Sequence, residues 1–218
     1  MALLFALGSA CFLIGPFPGY AQLVGARADG ITFFVGSVLF TAGGAVQSLL
    51  AFPGRHAPPH GRWAWRAAVI QSAGTVFFNV TTFHALQTSL SNPSYDRLVW
   101  RPDALGSICF LLSGVIVYCA APRRGWLPAH GGPGWWEASV NLLGCIFFAI
   151  SAVAGYLVPS TGSLVSLAAA NANTALGAAC FLACALATLW TGRTVKSPRS
   201  GLLHRLEAEV ERGVQQVL

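Results

Sequence analysis

Long apolar runs alternate with short polar connections along the chain. Six runs stand out, at about 2–24, 31–52, 64–88, 103–121, 136–158 and 166–190. Each is close to or above the roughly 20 residues a helix needs to cross the hydrocarbon core of a bilayer. The pattern predicts an all-α membrane protein in which six transmembrane helices occupy residues 1–192. The rest, 193–218, is a polar tail. In it Leu203, Leu206, Val210, Val214 and Val217 share one helical face, and Arg205 and Glu209 stand at i, i+4. That spacing predicts a C-terminal amphipathic helix, suited to the membrane surface or to pairing with a partner protein or a second copy.

The runs also repeat each other. Each of the six carries G-x-x-x-F, as Gly8 and Phe12, Gly36 and Phe40, Gly74 and Phe78, Gly106 and Phe110, Gly144 and Phe148, and Gly177 and Phe181. Seven residues after the glycine comes Gly15, Gly43, Thr81, Ser113, Ser151 or Cys184, and one residue after it Ser9, Ser37, Thr75, Ser107, Cys145 or Ala178. The odd-numbered glycines are 66 and 70 residues apart and the even-numbered ones 70 and 71. This arithmetic predicts three tandem helical hairpins, and an even repeat makes the copies parallel. Offsets 0, +4 and +7 share one helix face. The stripe either packs helices closely through small residues or lines a central path.

Composition agrees. The chain is 55% hydrophobic and 9% charged, with mean hydropathy +0.61. A soluble domain carries about 25% charged residues. The first run has no basic residue before it, so it reads as a retained helix and not a signal peptide. The net charge of +6 sits in connections and tail. Arg55, Arg62, Arg66, Arg123, Arg124, Arg193, Lys196, Arg199, Arg205 and Arg212 fall on one side of a six-span arrangement, and Arg27, Arg97 and Arg101 on the other. Ten against three predicts both termini in the cytoplasm. Nucleic-acid binding is not expected, because no soluble platform is left over. The six cysteines all fall in apolar runs without a CxxC pair, which reads as packing.

The stretch "NLLGCIFFAISAVAGYLVPSTG" followed by "NTALGAACFL", within residues 135–190, resembles the YrhK-like domain of bacterial integral membrane proteins. "WRPDALGSICFLLSG" is similar to larger members of that group. The resemblance implies a multi-pass protein of the bacterial plasma membrane. It transfers no reaction, ligand or catalytic residue.

Candidate functional residues are the polar groups that break the apolar runs, because such groups are costly in a bilayer. Gln71, Asn79, His84, Asn141, Asn171 and Asn173 are candidates for a ligand site or permeation path. Gln71 and Asn141 both stand three residues before a repeat glycine and should meet at similar depth; interhelical hydrogen bonding is the plainer role. His56 and His60 flank a proline pair, which disfavours a helical metal pair. No metal or cofactor is expected. The stretch "SNPSYDRLVWRPD" reads as an outer loop holding Tyr95, Asp96, Arg97, Trp100, Arg101 and Asp103. There Asp103 is expected to cap the fourth helix, with an arginine paired to an aspartate and the aromatics at the membrane boundary. A ligand lid is the sharper alternative. Pro16 and Pro18 either kink the first helix or end it early.

No nucleotide loop, HExxH motif or hydrolase triad is present, so an enzyme is not expected. Two classes of function stay open. One is a small transporter or channel, favoured by the amides within the runs. The other is a non-catalytic scaffold or accessory subunit, favoured by the scarcity of charge there.

Overall fold

The computed structural model describes residues 1–17, 19–54, 59–87, 90–121, 123–124, 127–128 and 133–191. The expected tail helix, Pro18, His56 and the side chain of His60 lie outside the described residues. Among the described residues six helices build the body, α1 (Ala2–Ile14), α3 (Ala26–Leu50), α4 (Pro59–Ala85), α6 (Arg101–Ala120), α7 (Pro133–Ala154) and α8 (Leu167–Trp190), with the short α2 (Tyr20–Val24) before α3 and the short α5 (Asn92–Tyr95) before α6. A π-helical turn, Asp96–Trp100, joins α5 to α6. Two short antiparallel pairs decorate the ends: β1 (Arg123–Arg124) with β2 (Leu127–Pro128), and β3 (Leu157–Val158) with β4 (Ser163–Leu164).

Four helical segments are long and apolar enough to cross a membrane: Ala26–Leu50, Asn92–Ala120, Gly134–Ala154 and Leu167–Trp190. This is the make-up of an all-α membrane protein. The 13-residue α1 is apolar but spans only about 20 Å at 1.5 Å per residue. The 27-residue α4 has the length, but Arg62, Arg66, Gln71, Asn79 and His84 interrupt it.

The helices close into a ring. α1 packs on α3, α3 on α4, α4 on α6, α6 on α7, α7 on α8, and α8 returns to α1. Large apolar side chains point out of this ring, among them Leu7, Val35, Leu105, Leu143 and Leu176 at the residue before five of the six repeat glycines. Small ones point in: Ser9, Ser37, Thr75 and Ala178 are fully buried, and Ser107 and Cys145 nearly so. A large apolar exterior around a small-residue interior suits lipid outside and close backbone approach inside.

The glycines explain the closeness. A Cβ on Gly8 would stand 2.9 Å from the Phe40 ring, and one on Gly36 would stand 3.0 Å from Phe12. Gly74 and Phe110 (2.7 Å), Gly106 and Phe78 (3.0 Å), Gly144 and Phe181 (2.9 Å), and Gly177 and Phe148 (2.6 Å) repeat the contact. Each glycine thus receives the phenylalanine of the neighbouring helix, reciprocally, in α1 with α3, α4 with α6 and α7 with α8.

Three expected boundaries change. The first helix ends at Ile14, not 24. Pro16 has no amide to donate to the Phe12 carbonyl, and Gly19 at φ +90° and Gly25 at φ +87° turn the backbone into the left-handed region. The five residues of α2 lie between these breaks, and Tyr20 Oη meets Thr32 Oγ1 at 3.0 Å. The "outer loop" is also not a loop, since 92–100 is helical and runs into α6. Pro102 cannot donate to the turn before it, and the π turn absorbs the displaced register. Finally, residues 155–158 leave the fifth helix: Val165 N–H donates to the Tyr156 carbonyl and Ser166 N–H to that of Ala154, closing the β3–β4 hairpin over the end of α7.

Candidate functional site

The ring's centre is filled by phenylalanine. Phe12, Phe40, Phe78, Phe110, Phe148 and Phe181 are all buried, at 2–6% exposure. Phe12, Phe78 and Phe148, from alternate helices of the ring, touch one another with ring centroids 6.5, 6.1 and 5.7 Å apart. Phe181 contacts Phe40 at 6.1 Å and Phe110 at 5.7 Å, and stacks on Phe148 at 5.4 Å with an interplanar angle of 13°. The void left among these rings and Ser37 is about 10 Å³. That is at the lower limit for one water, and an apolar void of this kind stays dry.

A cavity opens on each side of this plug. At the end holding Met1, about 120 Å³ is lined by Phe5, Gln47, Gln71, Asn141, Cys184 and Thr188 and floored by Phe40 and Phe181. At the end holding Tyr95, about 260 Å³ is floored by Phe12, Phe78 and Phe148. Its walls include Phe33, Thr81, Tyr95, Trp100, Asp103, Ser151, Asn171 and Thr174. One rule places both sets. Three residues before the repeat glycine stand Phe5, Gln71 and Asn141 in α1, α4 and α7, and these face the Met1 end. The same offset in α3, α6 and α8 gives Phe33, Asp103 and Thr174, and these face the Tyr95 end.

Gln71 and Asn141 therefore do share a cavity, joined by Gln47. Gln71 is buried, and its Oε1 lies 3.4 Å from the Ser113 hydroxyl, which donates at 2.8 Å to the Ala67 carbonyl. Gln47 Oε1 is buried without a hydrogen-bond partner. The remaining candidates scatter. Asn79 donates its Nδ2 to Thr41 Oγ1 at 2.9 Å, tying α4 to α3. His84 lines neither cavity and leans on Phe83. Asn173 donates to the Ala169 carbonyl of its own helix at 2.8 Å, while Asn171 lines the Tyr95-end cavity.

The 91–103 stretch is tied down and not free. Trp100 Nε1 donates to the Ala152 carbonyl at 2.9 Å and Tyr95 Oη to that of Gly155 at 3.3 Å, so the expected boundary aromatics instead satisfy the open end of α7. Arg101 pairs with Asp96 at 2.9 Å, five residues back, which the π turn allows. Arg97 is exposed. Asp103 does not cap a helix: the helical backbone begins at Asn92, well before it, and no side-chain capping bond forms at the start of α6. The cap of α8 is Ser166, which accepts from Ala169 N–H at 3.2 Å.

Thr174 was not singled out by sequence, and Thr81 and Ser151 were marked only as members of the small-residue stripe. Thr81 donates to the Val99 carbonyl at 3.0 Å, and Ser151 meets Thr174 Oγ1 at 2.7 Å. Extending the G-x-x-x-F alignment back by three positions would have drawn attention to Thr174 and Asp103 together. No cluster of three or more metal-ligating side chains occurs among the described residues.

No family model matches the chain. No curated protein matches it, and no solved structure does. The resemblance of residues 135–190 to YrhK-like domains gains no support from these comparisons.

Proposed function

We propose that this chain is a non-conducting integral membrane bundle that serves as a scaffold or accessory subunit. The observation that carries the reading is the six-phenylalanine plug. A conducting path for water or ions has to be wide enough to stay wet, and here the middle of the ring is filled by phenylalanines that leave a void of only about 10 Å³. In this reading all six long helices cross the bilayer as three copies of one hairpin. Short α1 is completed by α2, and Asn79 and Gln71 of α4 are shielded by α3 and α6, while Arg62 and Arg66 stand exposed near the start of that helix. The excess of Arg and Lys on the side of the chain ends puts both termini in the cytoplasm, where the basic tail is available to a partner protein.

Full-length protein reconstituted in liposomes tests this. The expected result is no flux of monovalent ions or small neutral solutes above protein-free vesicles, with a defined partner co-purifying in stoichiometric amount. Saturable flux through the wild-type chain would overturn it. The second reading, gated passage of a small solute, is favoured by one observation: two polar-walled cavities face the plug from opposite ends.

A further inference from the structure

The cavity at the Tyr95 end contains a carboxyl group with no assigned work. Asp103 lines it and makes no hydrogen bond or ion pair among the described residues. Its position eleven residues inside a continuous helical segment removes the helix-start explanation, since the field of a helix terminus fades within a turn. Neither nearby arginine serves it. Arg101 is held by Asp96, and Arg97 does not line the cavity. A carboxylate in such surroundings is costly unless it takes up a proton or meets a counter-charge, so a bound cation is one way to stabilise its charged form.

The walls indicate what that charge would be. Tyr95 lies within electrostatic reach of Asp103, and Trp100, Phe78 and Phe148 complete an aromatic lining. Trp100 and Tyr95 are fixed by their bonds to α7, so the lining is pre-organised. A transition-metal ion would need several His, Cys, Asp or Glu ligands, and the described residues group no three of these. Aromatic side chains lining one cavity with a single acidic group instead suit an organic ammonium, which gains from both the opposite charge and the ring quadrupoles. At about 260 Å³ the cavity is smaller than a drug-sized site, so the ligand is small. We propose that the Tyr95-end cavity binds a small alkylated ammonium ion, with Asp103 as its counter-ion and Tyr95, Trp100, Phe78 and Phe148 as its aromatic walls. This goes beyond the scaffold reading and holds whether or not the centre conducts.

The test is calorimetric titration of the full-length protein in detergent micelles with choline and with tetramethylammonium. Saturable binding of both is expected. The uncharged isostere of choline, 3,3-dimethylbutan-1-ol, should not bind in the same concentration range. Asp103→Asn should weaken choline binding by roughly 30-fold or more, and Asp103→Glu should restore most of it. Thermal melting confirms that each variant is folded. If Asp103→Asn does not fold, choline against its neutral isostere on the wild-type chain decides. The proposal is overturned by no saturable ammonium binding, by equal binding of the neutral alcohol, or by unchanged affinity in a folded Asp103→Asn variant.

Discussion

The two cavities are built at the same offset from the same repeated glycine, yet they differ in chemistry. At the Met1 end that offset supplies Phe5, Gln71 and Asn141; at the Tyr95 end it supplies Phe33, Asp103 and Thr174. In each, the α1–α3 pair contributes phenylalanine and the other two pairs contribute polar groups. The Met1 end is small, and among these positions it holds only neutral side chains, of which Gln71 is reached by the Ser113 hydroxyl. The Tyr95 end is about twice as large and holds an acidic side chain that no hydrogen bond or ion pair among the described residues serves. A shared scaffold thus fixes where a side chain points, and the identity of that side chain decides what the place is for.

The plug between the cavities is the most direct way to break this separation. Phe148→Ala removes the ring that touches Phe12, Phe78, Phe110 and Phe181. We expect a loss of about 3–5 kcal/mol in unfolding experiments in mixed micelles. We also expect solute leakage through the variant in liposomes as the cavities merge. If the variant is as tight as wild type, the six rings are not the barrier.

Gly177→Ala tests the lock and not the plug. Its Cβ would stand 2.6 Å from the Phe148 ring and 3.1 Å from the Gly144 carbonyl oxygen. Overpacking of this kind costs about 1–3 kcal/mol, read as a lower melting temperature. Gly134→Ala, where a Cβ meets nothing within 4 Å, serves as the control and should melt with wild type.

Ser166→Ala removes the cap of α8 beside the Tyr95-end cavity and should cost about 1 kcal/mol. Local hydrogen exchange at Ala169 is the sensitive readout. The smallest effect is expected at the other end. Asn141→Ala should cost no more than about 0.6 kcal/mol, the average for a hydrogen-bonded side chain in a membrane bundle. A much larger loss on chemical denaturation would mean that the amide cavity is a structural keystone and that the two ends are less different than their residues suggest.

How much of this was legible in the sequence follows from what kind of signal each feature leaves. The Gly–Phe stripe was legible because it is written at fixed offsets in six places. Its reciprocity was not, because Gly177 and Phe148 lie on different helices and spacing says nothing about which partner fills which notch. Gln71 and Asn141 could be paired by offset alone. Asp103 reads as a cap because Pro102 imitates a helix start; only α5 and the π turn show that the helix has already begun. Pro16 announced a disturbance in the first helix without saying whether it would bend or stop. The glycines at 19 and 25 settle it, and a left-handed φ cannot be read from the letter G.

Water-soluble bundles turn each helix to the right azimuth by burying its greasy side. These helices are greasy on both sides: Leu143 faces outward while Cys145 and Phe148 face inward, so hydrophobicity exerts almost no torque about the axis. Rotation must be set by volume. A phenylalanine that fits only where a neighbour lacks a Cβ acts as a key with one angular setting, and six such keys around a closed ring index every helix against the next.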